Sequence, residues 1–287
     1  MNDQVWTIGR VVRWATDDFR AKGIESPRLE AELLLAHVLG VDRMRILLDQ
    51  DRPLTPEELA RYREVIKRRR AREPVAYIRG EREFYGRVFR VDKRVLIPRP
   101  DTEILVETAL RRTKHISMSG RMLDLCTGSG CVATTFALER PTWQVTGTDI
   151  SADAIDVARD NAHRLGAIWN VRWLVGDLFE PIGDERFDLV TANPPYIPAS
   201  EAPQLSPDIR EHEPHLALFG GDDGLSISAR IIREAPRHLR KRGVLAMEVG
   251  AGQADEVASL FEKAGFVEVD KARDYGGHER VVSGIAP

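Results

Sequence analysis

Hydrophobic positions recur with two different spacings along this chain, and the change of spacing divides it. Over the first ~75 residues apolar side chains return every three or four positions, which predicts helices. Ser26-Pro27, then Leu29, Leu33, Leu34 and Val38, then Gly40 supply an N-cap, a first-turn proline, an apolar stripe and a terminating glycine. Thr55-Pro56-Glu57-Glu58 predicts a capping box, with Leu54 and Leu59 as its hydrophobic staple. That helix continues through Tyr62, Val65 and Ile66 into Lys67-Arg68-Arg69-Arg70, cations that suit a helix C-terminus, and Pro74 ends it. Residues 1–74 therefore read as a helical domain. From 75 to 95, Tyr77, Phe84, Tyr85, Val88, Phe89 and Val91 with Gly80 and Gly86 between them predict a hairpin linker.

Residues 96–287 read as a second domain. Leu96 through Glu103 leads into a helix carrying Ile104, Leu105, Val106 and Leu110. Beyond Gly120, strands and helices alternate. Strands are expected at 122–125, 144–148, 171–175, 187–192, 244–249, 266–269 and 280–283, and helices at 132–138, 152–165, 227–239 and 254–264. Such alternation predicts an α/β fold, a parallel sheet covered by helices on both faces.

Composition changes little of this. With 43% hydrophobic and 30% charged residues, the chain is an ordinary globular one able to bury a core. A formal net charge of -3 excludes a surface built throughout for polyanions. Two cysteines, Cys126 and Cys131, form neither a disulfide framework nor a Cys-x-x-Cys pair, and read as small buried residues of a reducing compartment. Asn2 to Arg13 mixes charges with apolar residues, and no run approaches ~20 apolar residues. The expectation is a cytoplasmic protein without a membrane segment. The seven histidines show no ligand spacing, and no metal is expected.

Chemistry is concentrated at the strand ends. Asp124-Leu125-Cys126-Thr127-Gly128-Ser129-Gly130 is a strand, a glycine turn and a helix start. Gly128 and Gly130 permit a tight turn and close approach of a ligand to main-chain amides. The third glycine of a dinucleotide fingerprint and the Lys-Ser/Thr of a phosphate loop are both missing. Asp124 can receive a cationic amino acid moiety. Asp149, 19 residues past Gly130, can accept both ribose hydroxyls of an adenosine. Asp177, ahead of Leu178, can accept from an adenine amino group. Each acid alone could equally be a loop acid or a helix cap. Together with the glycine turn they point to adenosyl binding at the carboxyl edge of the sheet.

The fourth strand runs into Asn193-Pro194-Pro195-Tyr196. An amide nitrogen is a poor nucleophile, because its lone pair is delocalised into the carbonyl. It has to be desolvated, oriented and polarised before it attacks a methyl sulfonium. The Asn193 side-chain oxygen and the Pro194 carbonyl can each accept one N–H of an NH2 group. Pro194 and Pro195 restrict the backbone, and Tyr196 can lie on the planar face of the acceptor. The bland alternative is a rigid turn after a buried strand, with Tyr196 as packing.

At this point the chain resembles the release factor glutamine methyltransferases, the PrmC/HemK family, over nearly its whole length. Pro98-Arg99-Pro100-Asp101-Thr102-Glu103, the turn from Asp124 to Gly130, Asn193 to Tyr196, Glu213-Pro214 and Leu218-Phe219-Gly220-Gly221 carry the resemblance. So do Gly224-Leu225 and Asp274 through Val282. It implies a Rossmann-like seven-stranded class I methyltransferase domain behind a small N-terminal helical domain that recognises the substrate. It also implies transfer of a methyl group from S-adenosyl-L-methionine, leaving S-adenosyl-L-homocysteine, to the glutamine amide in the Gly-Gly-Gln motif of peptide chain release factors. By the same resemblance Cys126, Thr127, Gly128, Ser129 and Gly130 line the cofactor, Asp149 holds its ribose, and Asp177 with Leu178 borders its adenine. Asn193 through Tyr196 hold the glutamine, with Asn193 near the methyl. The family's turn often begins with glycine where this chain has Cys126, and an aromatic sometimes follows the acid where it has Leu178.

Other NH2 acceptors fit the same motif, namely a glutamine of a ribosomal protein or the exocyclic amine of adenine in DNA. A DNA enzyme needs base flipping and basic surface, which a net-acidic chain does not supply, so no stable nucleic-acid partner is expected. A methyltransferase-like binding module is the non-enzyme alternative. The run Lys67 to Arg70, with Arg72, is either a solvated helix end or a contact for the substrate.

Overall fold

The computed structural model describes residues 5–116 and 118–287; residues 1–4 of the expected helical domain lie outside them. The chain forms two compact units, one running up to Gly80 and taking in Ser206–His212, the other holding Glu81–Leu205 and Glu213–Pro287.

The first unit consists of α1 (Ile8–Ala21), α2 (Pro27–Leu39), α3 (Arg43–Leu48), α4 (Pro56–Arg70), α5 (Val75–Arg79) and, from much later in the chain, α9 (Pro207–His212). The capping box of α4 is formed in both directions. Thr55 accepts from the Glu58 amide at 3.2 Å and Glu58 from the Thr55 amide at 2.9 Å. Proline begins α2 and left-handed Gly40 ends it, although the Ser26 side chain makes no capping bond. Phe19, Leu34, Leu35, Ile46 and Ile66 form the core, and the buried Tyr62 hydroxyl donates to the Ala31 carbonyl at 3.0 Å.

The basic end of α4 is neutralised inside this unit. Lys67 pairs with Glu64, Arg68 with Glu73 and Arg70 with Asp18, while Arg72 donates to the Lys22 carbonyl. Arg69 is 3% exposed and lies between Glu30 at 2.5 Å and Asp208 at 2.6 Å. Val75–Arg79 is helical where the sequence pattern suggested the start of a hairpin. The segment buries Ala76, Tyr77 and Ile78 and ends on left-handed Gly80.

The second unit opens with the hairpin β1 (Glu81–Phe84) and β2 (Arg87–Arg90), whose Phe84 and Phe89 are buried. There follow α6 (Glu103–Arg112), β3 (Arg121–Leu125), α7 (Cys131–Glu139), β4 (Gln144–Asp149), α8 (Ala152–Leu165), β5 (Val171–Val175) and β6 (Phe187–Ala192). After α9 come α10 (Ser226–His238), β7 (Leu239–Glu248), α11 (Ala254–Lys263), β8 (Val267–Arg273) and β9 (Glu279–Ile285). Seven strands form one sheet in the order β5-β4-β3-β6-β7-β9-β8.

Five strands are parallel as expected, but β9 runs antiparallel to both of its neighbours, so the sheet is mixed. The residues between β8 and β9, Asp274–His278, are too few for a crossover, so the pair can only turn back on itself. Side chains alternate across the sheet with a period of two. Leu123, Leu125, Val190, Leu245 and Met247 face α10 and α11, while Met122, Leu189, Val244 and Ala246 face α6, α7 and α8. The strand order reverses at β3, which has β4 on one side and β6 on the other, and this opens a crevice at the carboxyl ends of those strands. Among the described residues no helix is long and apolar enough to cross a membrane.

Candidate active site

The crevice is a cavity of about 240 Å³. Asp124, Cys126, Thr127, Gly128, Ser129, Asp149, Asp177, Leu178, Asn193 and Pro195 all line it, joined by Thr102, Arg99, Pro214, Leu216 and Arg230. Gly130, Pro194 and Tyr196 are not part of the lining.

The turn after β3 is left-handed at Cys126 (φ +54°), Gly128 (+54°) and Gly130 (+74°). A side chain at Cys126 therefore occupies a backbone conformation that favours glycine. Gly130 is required by packing, because a Cβ there would stand 2.9 Å from Ala158 Cβ and from the Trp173 ring. The turn is fastened by the Thr127 amide on the Thr148 carbonyl (3.0 Å) and the Gly130 amide on the Thr127 carbonyl (2.8 Å). Fully buried Asn161 holds it from outside, donating to the Ser129 and Arg90 carbonyls, each at 3.0 Å, while its Oδ1 accepts from the Arg90 amide at 2.7 Å.

The three acids differ in their surroundings. Asp124 is buried inside β3 and accepts from the Thr127 and Thr191 hydroxyls, both at 2.6 Å. Burial pushes its carboxyl up to about 6, against the pull of those hydroxyls. Asp149 accepts from the Gly128 and Ser151 amides, one on each oxygen and both at 2.9 Å. Burial raises its carboxyl above the usual range, and the two amides oppose that. Asp177 is half-buried, and its Oδ2 accepts from Arg230 Nη2 at 2.6 Å. Leu178 closes this end, left-handed at φ +49°, with its carbonyl accepting from the Thr148 hydroxyl at 3.2 Å.

Opposite the turn, β6 delivers Asn193. Its Nδ2 donates to Thr102 Oγ1 at 3.3 Å, which leaves Oδ1 as the acceptor that its side chain has to offer. The loop beyond is held by main-chain bonds, Ile197 amide to Leu218 carbonyl and Gly220 amide to Ile197 carbonyl, both at 3.0 Å. Gly220 and Gly224 sit against it so closely that a Cβ would fall 2.4 Å from the Pro195 oxygen and 2.3 Å from the Tyr196 oxygen, respectively. Tyr196 turns its hydroxyl to Glu248 Oε1 at 3.4 Å, while its carbonyl accepts from Gln253 Nε2 at 3.0 Å. Burial, then the Glu248 charge, raises the Tyr196 phenol. Buried Glu213 accepts from Arg99 at 2.6 Å and from the Ile97 amide at 3.2 Å, tying Glu213-Pro214 to the segment ahead of α6.

Sequence reasoning passed over Thr102, Arg230 and Glu248. Thr102 lay within a quoted motif without a role, and Glu248 left a signal as a lone acid ending an apolar strand. Arg230 left none.

The sheet order and the crevice beside its glycine turn define a Rossmann-like class I methyltransferase domain. Residues 100–208 match the family model "Methyltransferase small domain", and residues 10–80 match "PrmC N-terminal domain". A methyltransferase from Pyrococcus furiosus shares the fold, with a TM-score of 0.53 at 19% identity over 70% of this chain and 90% of that one. The release factor glutamine methyltransferase of Geobacter sulfurreducens is 46% identical over 98% of this chain and 97% of its own length. That of Rhodopirellula baltica is 41% identical over 98% and 97%, respectively. The chain belongs to the release factor glutamine methyltransferases.

Proposed function

We propose that this protein methylates the side-chain amide nitrogen of the glutamine in the Gly-Gly-Gln motif of a peptide chain release factor, with S-adenosylmethionine as donor. The observation that carries the reading is the meeting of Asn193 and the turn from Cys126 to Ser129 in one cavity. A group bearing an amine, a ribose and an adenine fits that cavity, whose acids lie at Asp124, Asp149 and Asp177 and whose walls include apolar Val132, Ile150, Leu178 and Ile227.

When bound, S-adenosylmethionine supplies a methyl group on a positively charged sulfur. Each Asp149 oxygen already accepts one backbone amide and keeps a lone pair for a ribose hydroxyl. Asp177, held by Arg230, receives the adenine amino group. Asp124 shapes the turn through Thr127 and contributes negative potential at the amino acid end. Asn193 Oδ1 and the Pro194 carbonyl each accept one N–H of the glutamine NH2. They draw electron density onto the nitrogen and fix the line along which it meets the methyl. The nitrogen gains the methyl and gives up one proton to solvent. The helical unit serves substrate recognition, and its neutralised α4 end makes charge attraction by Lys67 to Arg72 a minor part of that.

The test is mass spectrometry of a release factor incubated with the protein and isotopically labelled S-adenosylmethionine. One methyl on the glutamine of Gly-Gly-Gln is expected. Transfer only to a ribosomal protein or to DNA overturns the substrate. Cofactor binding without transfer to any of these overturns the enzyme reading.

A further inference from the structure

Behind the acceptor loop, away from the cavity lining, β7 ends in a buried carboxylate. Glu248 is 1% exposed. Its Oε2 is buried without a hydrogen-bond partner, Oε1 receives a long contact from Tyr196, and the Thr102 hydroxyl bears on the same carboxyl. Arg280 lies nearby, but its ion pairs go to Asp101 (3.3 Å) and Asp274 (3.0 Å). A buried carboxyl group with one oxygen unsatisfied is expensive, and an apolar or amide side chain of similar size would fill the place at lower cost.

Register explains where this group acts. Ala192 of β6 pairs with Met247 of β7, so the next step along the two parallel strands sets Asn193 beside Glu248. Thr102 joins them, receiving the Asn193 amide at 3.3 Å and bearing on Glu248 with its hydroxyl. Tyr196 returns to the same carboxylate from the other end of the four-residue motif. Both ends of Asn193–Tyr196 are thus referred to one buried group, Asn193 through Thr102 and Tyr196 directly.

We propose that Glu248 is a positioning residue for methyl transfer. With Thr102 it fixes which way the Asn193 amide faces, so that Oδ1 and not Nδ2 meets the acceptor NH2. A reversed amide would present a donor to a donor, and the nitrogen would lose its polarisation. The inference rests on the proposed role of Asn193 and is tested on wild type and variants side by side.

Glu248→Met removes both acceptor oxygens while keeping bulk, Glu248→Gln keeps one, Thr102→Val removes the hydroxyl and Thr102→Ser restores it. Turnover on a release factor, KM for that factor, cofactor affinity and thermal midpoint are measured for each. The expectation is a fall in kcat of about tenfold or more for Glu248→Met and Thr102→Val, with Glu248→Gln intermediate and Thr102→Ser near wild type. Cofactor affinity should stay within about twofold, and the thermal midpoint of the Glu248 variants should be unchanged or higher. Unchanged kcat in Glu248→Met overturns the inference. So does a kcat loss that only follows a drop in melting temperature or cofactor affinity. Failure of the wild type to methylate the factor would instead overturn the substrate reading.

Discussion

Asp149→Ala is the sharpest probe of the cofactor end. The carboxylate spans two elements, taking the Gly128 amide from the turn after β3 and the Ser151 amide from the start of α8, both at 2.9 Å. These bonds use one lone pair on each oxygen, and the two remaining sites match the two hydroxyls of a ribose. A hydrogen bond to a charged group contributes about 1.5–3 kcal/mol, and water recovers part of that in the variant. The net loss in cofactor affinity is then about 2–4 kcal/mol, a rise in Kd of roughly 30- to 1,000-fold. Isothermal titration with S-adenosylhomocysteine reads this directly, with circular dichroism to confirm that the variant is folded. Asp149→Asn keeps one carbonyl acceptor and should fall between the two. Because burial raises the Asp149 carboxyl, wild-type affinity should also begin to fall at a higher pH than an ordinary aspartate would dictate. A folded Asp149→Ala protein that binds within threefold of wild type would refute the ribose assignment.

Three further outcomes are expected. Asn193→Ala should lower kcat by about 100-fold while cofactor affinity stays within a few-fold, as for loss of one preorganised polar group; steady-state kinetics with a release factor would show normal turnover if the role is wrong. Gly130→Ala should destabilise by about 2–4 kcal/mol, adding left-handed strain to a contact 2.9 Å from Ala158 and Trp173, and a thermal midpoint within 2 °C of wild type would contradict it. Burial pushes the Glu248 carboxyl from 4.5 up to about 7, so the folded state holds that proton more tightly than the unfolded chain does. The resulting stabilisation is complete below about pH 4.5 and is lost as pH rises through 7, an amount of about 3 kcal/mol. Urea unfolding of wild type and Glu248→Gln at pH 4 to 8 should therefore diverge in favour of glutamine as pH rises, and parallel curves would count against it.

Local signals were the legible ones. The capping box at Thr55, the proline and glycine that bound α2, and the alternation that gives seven strands are written in short stretches of chain. Asp124, Asp149, Asp177 and Asn193 could be found because each stands at or near the end of a recognisable strand. What escaped depends on distant partners. Val75–Arg79 is four apolar residues and an arginine, too short for periodicity to separate helix from strand, and its Ala76, Tyr77 and Ile78 are buried. The antiparallel course of β9 follows from its place between β7 and β8. Tyr196 looked like a platform for the acceptor, yet its hydroxyl meets Glu248, fifty-two residues on. The Asp177–Arg230 pair spans a similar distance, and no local pattern announces it.

The return of Ser206–His212 to the helical unit sets an order in time. Arg69 of α4 has Glu30 of α2 as one partner early in synthesis, but its second carboxylate, Asp208, is made much later. The ribosome must add 128 residues, from 80 to 208, before that second carboxylate exists. At about 5–20 residues per second this takes roughly 6 to 26 seconds. The amino-terminal helices thus emerge first, but their unit is completed only after β3 to β6 have been synthesised, so it waits one carboxylate short while four strands of the sheet are being made.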